Sequence, residues 1–316
     1  MPKRTVIFYD DTHPIMPELL TALGFECKDH SKSTFDFMKM DLRDAFGLVG
    51  RSRFQLDKNF LIECPHLQFI ARSGVGTEHI DLSYAHDNHI KVLTSPEGSA
   101  DTVGEHTLGL ILMLMNHLGR ADRQVRSGKW IREGNRGTEL KGKTVGILGY
   151  GNMGKSLARK LTGLETNCIT YDKYLKNYGD KYASRVDLNT FFRETDILAI
   201  HIPYLPSNHY FINRNFLESF HKSIYVINAA RGSVLCTEHL VEGLSSGKIL
   251  GAALDVLEYE DGSFSALKSM GNPAPLDYLI QSEKTVLSPH IAGWSFESLK
   301  GHAEVLVEKI SQNFCQ

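Results

Sequence analysis

The stretch TVGILGYGNMGKSLARKL, residues 144–161, constrains this chain more than any other. An apolar strand, Val145 to Leu148, runs directly into Gly149, Gly151 and Gly154, and a helical pattern begins at once behind them. In that context the first glycine permits a tight turn, the second lets backbone approach a pyrophosphate, and the third lets helix and strand pack closely. The helix start adds unpaired N–H groups and the positive end of a dipole. The next strand-like run, NCITYDKY, ends in Asp172. A carboxylate there suits ribose hydroxyls and opposes a 2′-phosphate. The pattern therefore predicts NAD, favoured over NADP, held through Gly149, Tyr150, Gly151, Asn152, Met153, Gly154 and Asp172, with Lys173 softening the preference. Methyltransferases use a related loop for a different cofactor, so the remaining residues must decide.

Strand-like and helical segments alternate along the whole chain. A first series reads TVIFYD (5–10), GLVGRS (47–52), LQFIARSG (67–74) and IKVLTS (90–95). Helical spacing at Ile15, Leu19, Leu20 and Leu23 stops at Gly24, and DKNFLIEC and DLSYAHDN are further helix candidates. A long helical stretch over 99–128 has cap candidates in Ser99 and Asp101 and stop candidates in Gly119 and Gly128. After the polar loop REGNRGTELKGK comes a second series: TVGILGYG, NCITYD, ILAIHI, IYVINAA, ILGAALDVL and TVLSPH, then a last helix, FESLKGHAEVLVEKIS. Such alternation predicts an α/β protein with two doubly wound parallel sheets.

Bulk properties exclude several function classes. With 316 residues, 42% hydrophobic and 23% charged, the chain is expected to be a soluble globular enzyme. A net charge of -2 offers no field for nucleic acid or an anionic membrane. The apolar run Leu108 to Met115 is too short to span a bilayer, and the start MPKRTVIFYDD lacks the pattern of an export signal. Five scattered cysteines without a CxxC pair, and histidines without an HExxH, predict free thiols in the cytoplasm and no metal site.

Ligands of open parallel sheets bind beyond the carboxyl ends of the strands. Three polar residues fall at such ends: Arg231 in NAARGS, Glu260 in ALDVLEYE and His290 in TVLSPH. Taken singly they read equally as a surface charge, a solvated loop acid and a loop or core histidine. Together they form a set for hydride transfer at a 2-hydroxy acid. A guanidinium grips a carboxylate and polarises the carbonyl. An imidazole exchanges the hydroxyl proton. A carboxylate beside it fixes its orientation and favours its charged form.

With these residues in view, the chain resembles the D-isomer-specific 2-hydroxyacid dehydrogenases over nearly its full length. The carrying segments are ARSGVGTEHIDL, SPEGSADTVGEHTLGLIL, the glycine loop, HIPYLP, NAARGSVL, GAALDVLEYE and SPHIAGW. The resemblance implies a flavodoxin-like substrate domain from residues 1–97 plus 290–316, a Rossmann NAD domain from 98–289, and a cleft between them holding His290. It assigns Arg231 to the substrate carboxylate and carbonyl, His290 to acid–base work and Glu260 to partner His290, with Glu258 as a rival. It further implies that Gly74, Val75 and Gly76 hold the substrate carboxylate. Thr102 to Glu105, His201, Pro203 and Ala229 are expected around the cofactor, with Asp255 near the nicotinamide carboxamide; His201 reads equally as structural. The segment 121–140 is expected to support a homodimer. Two departures stand out: Asp261-Gly262 where the family commonly has Pro after the acid, within an extended segment, and Pro-Tyr-Leu-Pro after His201 and Ile202. The acid at 260, where formate dehydrogenase carries Gln, disfavours that activity.

Arg51 and Arg53 in GLVGRSRF bear on the substrate. They read as a solvated basic turn or as a grip on a dianion, since arginine offers fixed donors to phosphate. The Arg-Ser pair resembles that of D-3-phosphoglycerate dehydrogenases, so D-3-phosphoglycerate, and with it serine biosynthesis, is the leading expectation. Erythronate-4-phosphate and glyoxylate, hydroxypyruvate or lactate-type acids are alternatives. A non-catalytic NAD(H)-sensing binding protein is the alternative of a different class.

Overall fold

The computed structural model describes residues 4–260, 267, 271 and 273–315. The chain divides into two compact units, Met1–Ala100 with Trp294–Gln316, and Asp101–Gly293. These junctions fall a few residues beyond the expected 97/98 and 289/290, so His290 belongs to the second unit.

In the first unit, β1 (Arg4–Phe8), β2 (Phe25–Asp29), β3 (Ala45–Gly50), β4 (Phe69–Arg72) and β5 (Lys91–Thr94) form a parallel sheet ordered β2-β1-β3-β4-β5. That is the flavodoxin-like order. Both faces are buried because side chains alternate along each strand. From β1, Val6 and Phe8 enter a core with Met16, Leu20 and the last helix's Leu306 and Ile310. Ile7 and Tyr9 enter another core with Leu48, Phe60 and Ile70. The last helix, Phe296–Phe314, thus returns the chain end to this unit, its start fixed by a capping box between Ser295 and Ser298.

The second unit holds β6 (Thr144–Leu148), β7 (Asn167–Tyr171), β8 (Ser184–Arg185), β9 (Ile197–Ile200), β10 (Ile224–Asn228), β11 (Ile249–Leu254) and β12 (Thr285–Leu287). They form a parallel sheet ordered β12-β11-β10-β9-β6-β7-β8. The order reverses between β6 and β9, the switch point at which such sheets bind ligands.

Three expectations about elements are corrected. The long helix starts at Pro96, with Ser99 and Asp101 inside it rather than capping it. Proline suits a first turn, where its missing N–H had no partner to lose. The helix stops at Met115 because His117 turns left-handed at φ 55, and Gly119 lies within the following helix, Leu118–Arg126. Finally, β2 was absent from the strand pattern because FECKD mixes charge into an edge strand that buries only Phe25. Among the described residues no helix is long and apolar enough to cross a membrane.

Candidate active site

The glycine loop leaves β6 under three different constraints. Gly149 sits at φ +94, and a Cβ there would come 2.7 Å from the His201 carbonyl oxygen. Gly154 packs so tightly that a Cβ would lie 2.2 Å from the Gly149 oxygen. Around Gly151, by contrast, a Cβ would meet no atom of the described residues within 4 Å, so no packing among them demands glycine there. The need is for open space before the N-terminus of the helix Asn152–Leu161, where exposed Asn152 and half-buried Met153 begin the first turn. A pyrophosphate fits that space and those unpaired amides.

Asp172, at the end of β7, ties this loop down. Its Oδ2 accepts the Tyr150 N–H at 2.9 Å, and its Oδ1 accepts those of Tyr174 and Leu175 at 2.9 and 3.0 Å. The Tyr150 side chain is wholly buried and donates to Asp180 at 2.8 Å, so Tyr150 can offer a cofactor only its backbone. His201 follows β9 with neither ring nitrogen bonded among the described residues. Burial pushes its imidazole down to about 4, leaving it neutral near pH 7. These orphaned polar atoms beside the glycine loop fit a polar cofactor better than a packed core. Nearby, the Pro203 carbonyl is taken by Asn208 at 2.9 Å.

Beyond β10 the chain passes half-buried Ala229 to Arg231. The wholly buried Asn228 accepts the Ala230 N–H at 3.0 Å and donates to the Arg231 carbonyl at 3.1 Å, bracing the turn that carries the guanidinium. Gly232 lets this turn abut the exit of β11, since a Cβ would lie 2.1 Å from the Leu257 carbonyl carbon.

The Glu260 Oε2 stands 2.6 Å from His290 Nδ1. Its Oε1 accepts the Leu257 N–H at 2.5 Å, which fixes the carboxylate plane. The rival Glu258 is engaged elsewhere, accepting the Tyr210 hydroxyl and the Thr237 N–H. Residues 261–266, where the departure after Glu260 falls, lie outside the described residues.

His290 itself has φ 55, a left-handed conformation that costs about 1–3 kcal/mol for a non-glycine residue. Asp255 holds it there. The Asp255 carbonyl accepts the His290 N–H at 2.7 Å, and its carboxylate accepts Ser288 Oγ, Ile291 N–H and Ala292 N–H at 2.6, 2.9 and 2.8 Å. His106 Nε2 adds contacts of 3.3 Å to Asp255 and 3.2 Å to Ser288. Burial alone would raise the Asp255 carboxyl, but these hydrogen bonds outweigh it and hold it below its usual range. The Asp255 side chain is 0% exposed, enclosed by these partners.

In the first unit, the Gly74 N–H is already given to Ser95 Oγ at 3.0 Å. Of the three amides expected to meet a substrate carboxylate, Val75 and Gly76 remain. Arg53 is likewise committed, donating to the carbonyls of Tyr9, His30, Ser31 and Ser33. Arg51 is not: among the described residues its guanidinium makes no hydrogen bond or ion pair, and it lies 4.0 Å over the Trp294 ring.

Residues 108–292 match the D-isomer specific 2-hydroxyacid dehydrogenase, NAD binding domain. The chain belongs to this family. It is thus an NAD-dependent dehydrogenase acting on CH–OH donors. The dehydrogenase is 34% identical to hydroxypyruvate reductase from Thermotoga maritima, over 83% of this chain and 83% of that protein. It is 31% identical to D-3-phosphoglycerate dehydrogenase from Archaeoglobus fulgidus, over 83% of this chain but only 48% of that longer protein. A solved structure, D-lactate dehydrogenase from Aquifex aeolicus complexed with NAD and lactic acid, superposes with a TM-score of 0.79 at 26% identity, covering 98% and 94% of the two chains. Three substrates at comparable identity leave the choice among 2-hydroxy acids to this dehydrogenase's own residues.

Four functional supports escaped the sequence reading: Asn228, His106, Ser288 and the bracing role of Asp255. Only Asn228 carried a signal, as an amide closing the apolar strand IYVIN.

Proposed function

We propose that this dehydrogenase interconverts a D-2-hydroxy acid bearing a second anionic group, D-3-phosphoglycerate as the leading case, with its 2-oxo acid. The reaction rests on one observation above all, the 2.6 Å bond between His290 Nδ1 and Glu260. With Nδ1 so held, Nε2 is the nitrogen that delivers a proton to the carbonyl oxygen in reduction and withdraws it in oxidation. Arg231, braced by Asn228, grips the carboxylate and polarises the carbonyl. NAD supplies or accepts the hydride when bound. His201, Pro203 and Ala229 line its site, and Gly151 admits its pyrophosphate.

The preference for a second anion is supported by Arg51, a half-buried arginine without a polar partner among the described residues. Assembly as a cytoplasmic homodimer through residues 121–140 is part of the same reading, supported by the exposed Val125, Trp130 and Ile131 on that segment. A panel of 2-oxo acids assayed with NADH and NADPH tests the whole. Hydroxypyruvate phosphate should give the highest kcat/KM with NADH. NADH binding without turnover of any acid would instead indicate an NAD(H)-sensing binding protein, and a preference for glyoxylate or pyruvate would remove the phosphorylated substrate.

A further inference from the structure

The turn that carries Arg51 is fixed on every side but one. Gly50 precedes it because a Cβ there would lie 2.4 Å from the Tyr9 ring. The Tyr9 hydroxyl donates to the Arg51 carbonyl at 3.3 Å. Asp10 Oδ2 accepts the backbone N–H groups of Arg51, Ser52 and Arg53, each at 3.2 Å. Three amides converging on one point would make an anion nest by themselves. Here Asp10 already fills that nest, and Arg53 is spent on backbone carbonyls. Among the described residues the Arg51 guanidinium and the Ser52 hydroxyl are the donors this turn can still offer a ligand, and Trp294 backs the guanidinium.

Trp294 directly precedes the N-cap Ser295, a position where an apolar residue ordinarily packs on the helix's first turn. At 64% exposed, most of its surface is not used in that way. Arg51 Cζ instead lies over its ring, 4.0 Å from the centroid. A guanidinium is weakly hydrated on its faces and carries all its donors on its edge. A ring against one face therefore sets the plane and leaves the edge for a ligand. It also removes rotamer freedom that a long side chain otherwise loses only on binding.

We propose that Trp294 is a positioning residue for Arg51, and that the stacked pair forms the subsite for the substrate's second anionic group. This rests on the reading that the substrate carries such a group. The chemistry required is an anion presented edge-on to a guanidinium, either a phosphate monoester or a terminal carboxylate. Because an exposed cation–π contact is modest, Trp294→Ala should lower kcat/KM for hydroxypyruvate phosphate about fivefold more than for glyoxylate, chiefly through KM. Trp294→Phe should restore most of the difference.

A binding measurement separates this inference from the substrate assignment. The chain has two tryptophans, so Trp130→Phe leaves Trp294 as its sole tryptophan emitter. In that background 3-phosphoglycerate, inorganic phosphate and a terminal dicarboxylate such as oxaloacetate are titrated in turn. A saturable change in emission with any of them, lost when Arg51→Ala is added, supports the stacked subsite even if turnover favours another acid. The arm with the tightest response tells phosphate from carboxylate. No change with any anion, or a change that survives Arg51→Ala, overturns the inference. So does equal loss of kcat/KM toward hydroxypyruvate phosphate and glyoxylate in Trp294→Ala, which would mark the tryptophan as merely structural.

Discussion

At His290 the backbone strain and the side-chain chemistry have one cause. Four acceptor contacts from Asp255 fold residues 288–292 into a turn that no β-branched residue would take up, and that turn points Nδ1 at Glu260. The imidazole is therefore pre-oriented before substrate arrives, which is what a general acid needs. His290→Gln keeps the approximate size and one amide donor but cannot exchange the proton. Its kcat should fall by about 10²–10⁴-fold, while NADH affinity, measured by fluorescence titration, should stay within about threefold. Parallel loss of both would show that the histidine holds the fold. Glu260→Gln should cost less and alter the pH profile of kcat/KM, since it leaves the imidazole in place and removes only the charge beside it. None of this bracing was legible residue by residue. The sequence shows an acid, an arginine and a histidine at strand ends; it does not show that Asp255 faces inward to hold a turn, because that depends on where two strands bring their exits together.

At the scale of elements, the glycine loop separates what the fold requires from what the ligand requires. Gly154 is demanded by contact with Gly149, Gly151 by nothing among the described residues. Gly151→Ala should leave Tm within about 1 °C, a surface-like change of under about 0.5 kcal/mol, yet weaken NADH binding at least about tenfold by crowding the pyrophosphate. Gly154→Ala should lower Tm and NADH affinity together, because the helix must move off the strand. Equal effects of the two, by calorimetry and titration, would contradict this division. The loop was readable because strand, glycines, helix and acid are contiguous in sequence and act through backbone geometry. Elements whose identity is set by neighbours were not. The edge strand β2 looks polar because only one side of it is covered, and the break falls at the left-handed His117 rather than at the stop candidate Gly119, which lies inside the next helix.

Across the whole molecule, three histidines are buried without charge, and they are unevenly shared. His79 and His302 lie in the first unit and His201 in the second; burial pushes each imidazole down to about 4. His302 is held by Ser95 at 2.9 Å, while His79 Nε2 has no partner among the described residues. An unfolded chain would protonate all three near pH 6.5. Between about pH 6.5 and 4 the unfolded state then binds more protons than the folded one, so stability rises with pH and is lost as pH falls. Each histidine contributes on the order of 3 kcal/mol to that loss by pH 4, a large share of ordinary domain stability. Carboxylates such as Asp255, whose pKa is lowered, lose their contribution only below the usual carboxylate range and do not set this window. Calorimetry from pH 8 to 4.5 should show Tm flat above about pH 7 and falling below it, with the first unit, which carries two of the three groups, unfolding ahead of the second. Hydrogen exchange at pH 5 should correspondingly report earlier opening in β1, β3 and β4 than in β6, β9 and β10. Substituting His79 by Phe, which fills similar space without a titratable group, should flatten the acid limb of the first unit alone. Equal acid sensitivity of both sheets, or a limb unchanged by that substitution, would show that buried histidines do not set the acid limit of this dehydrogenase.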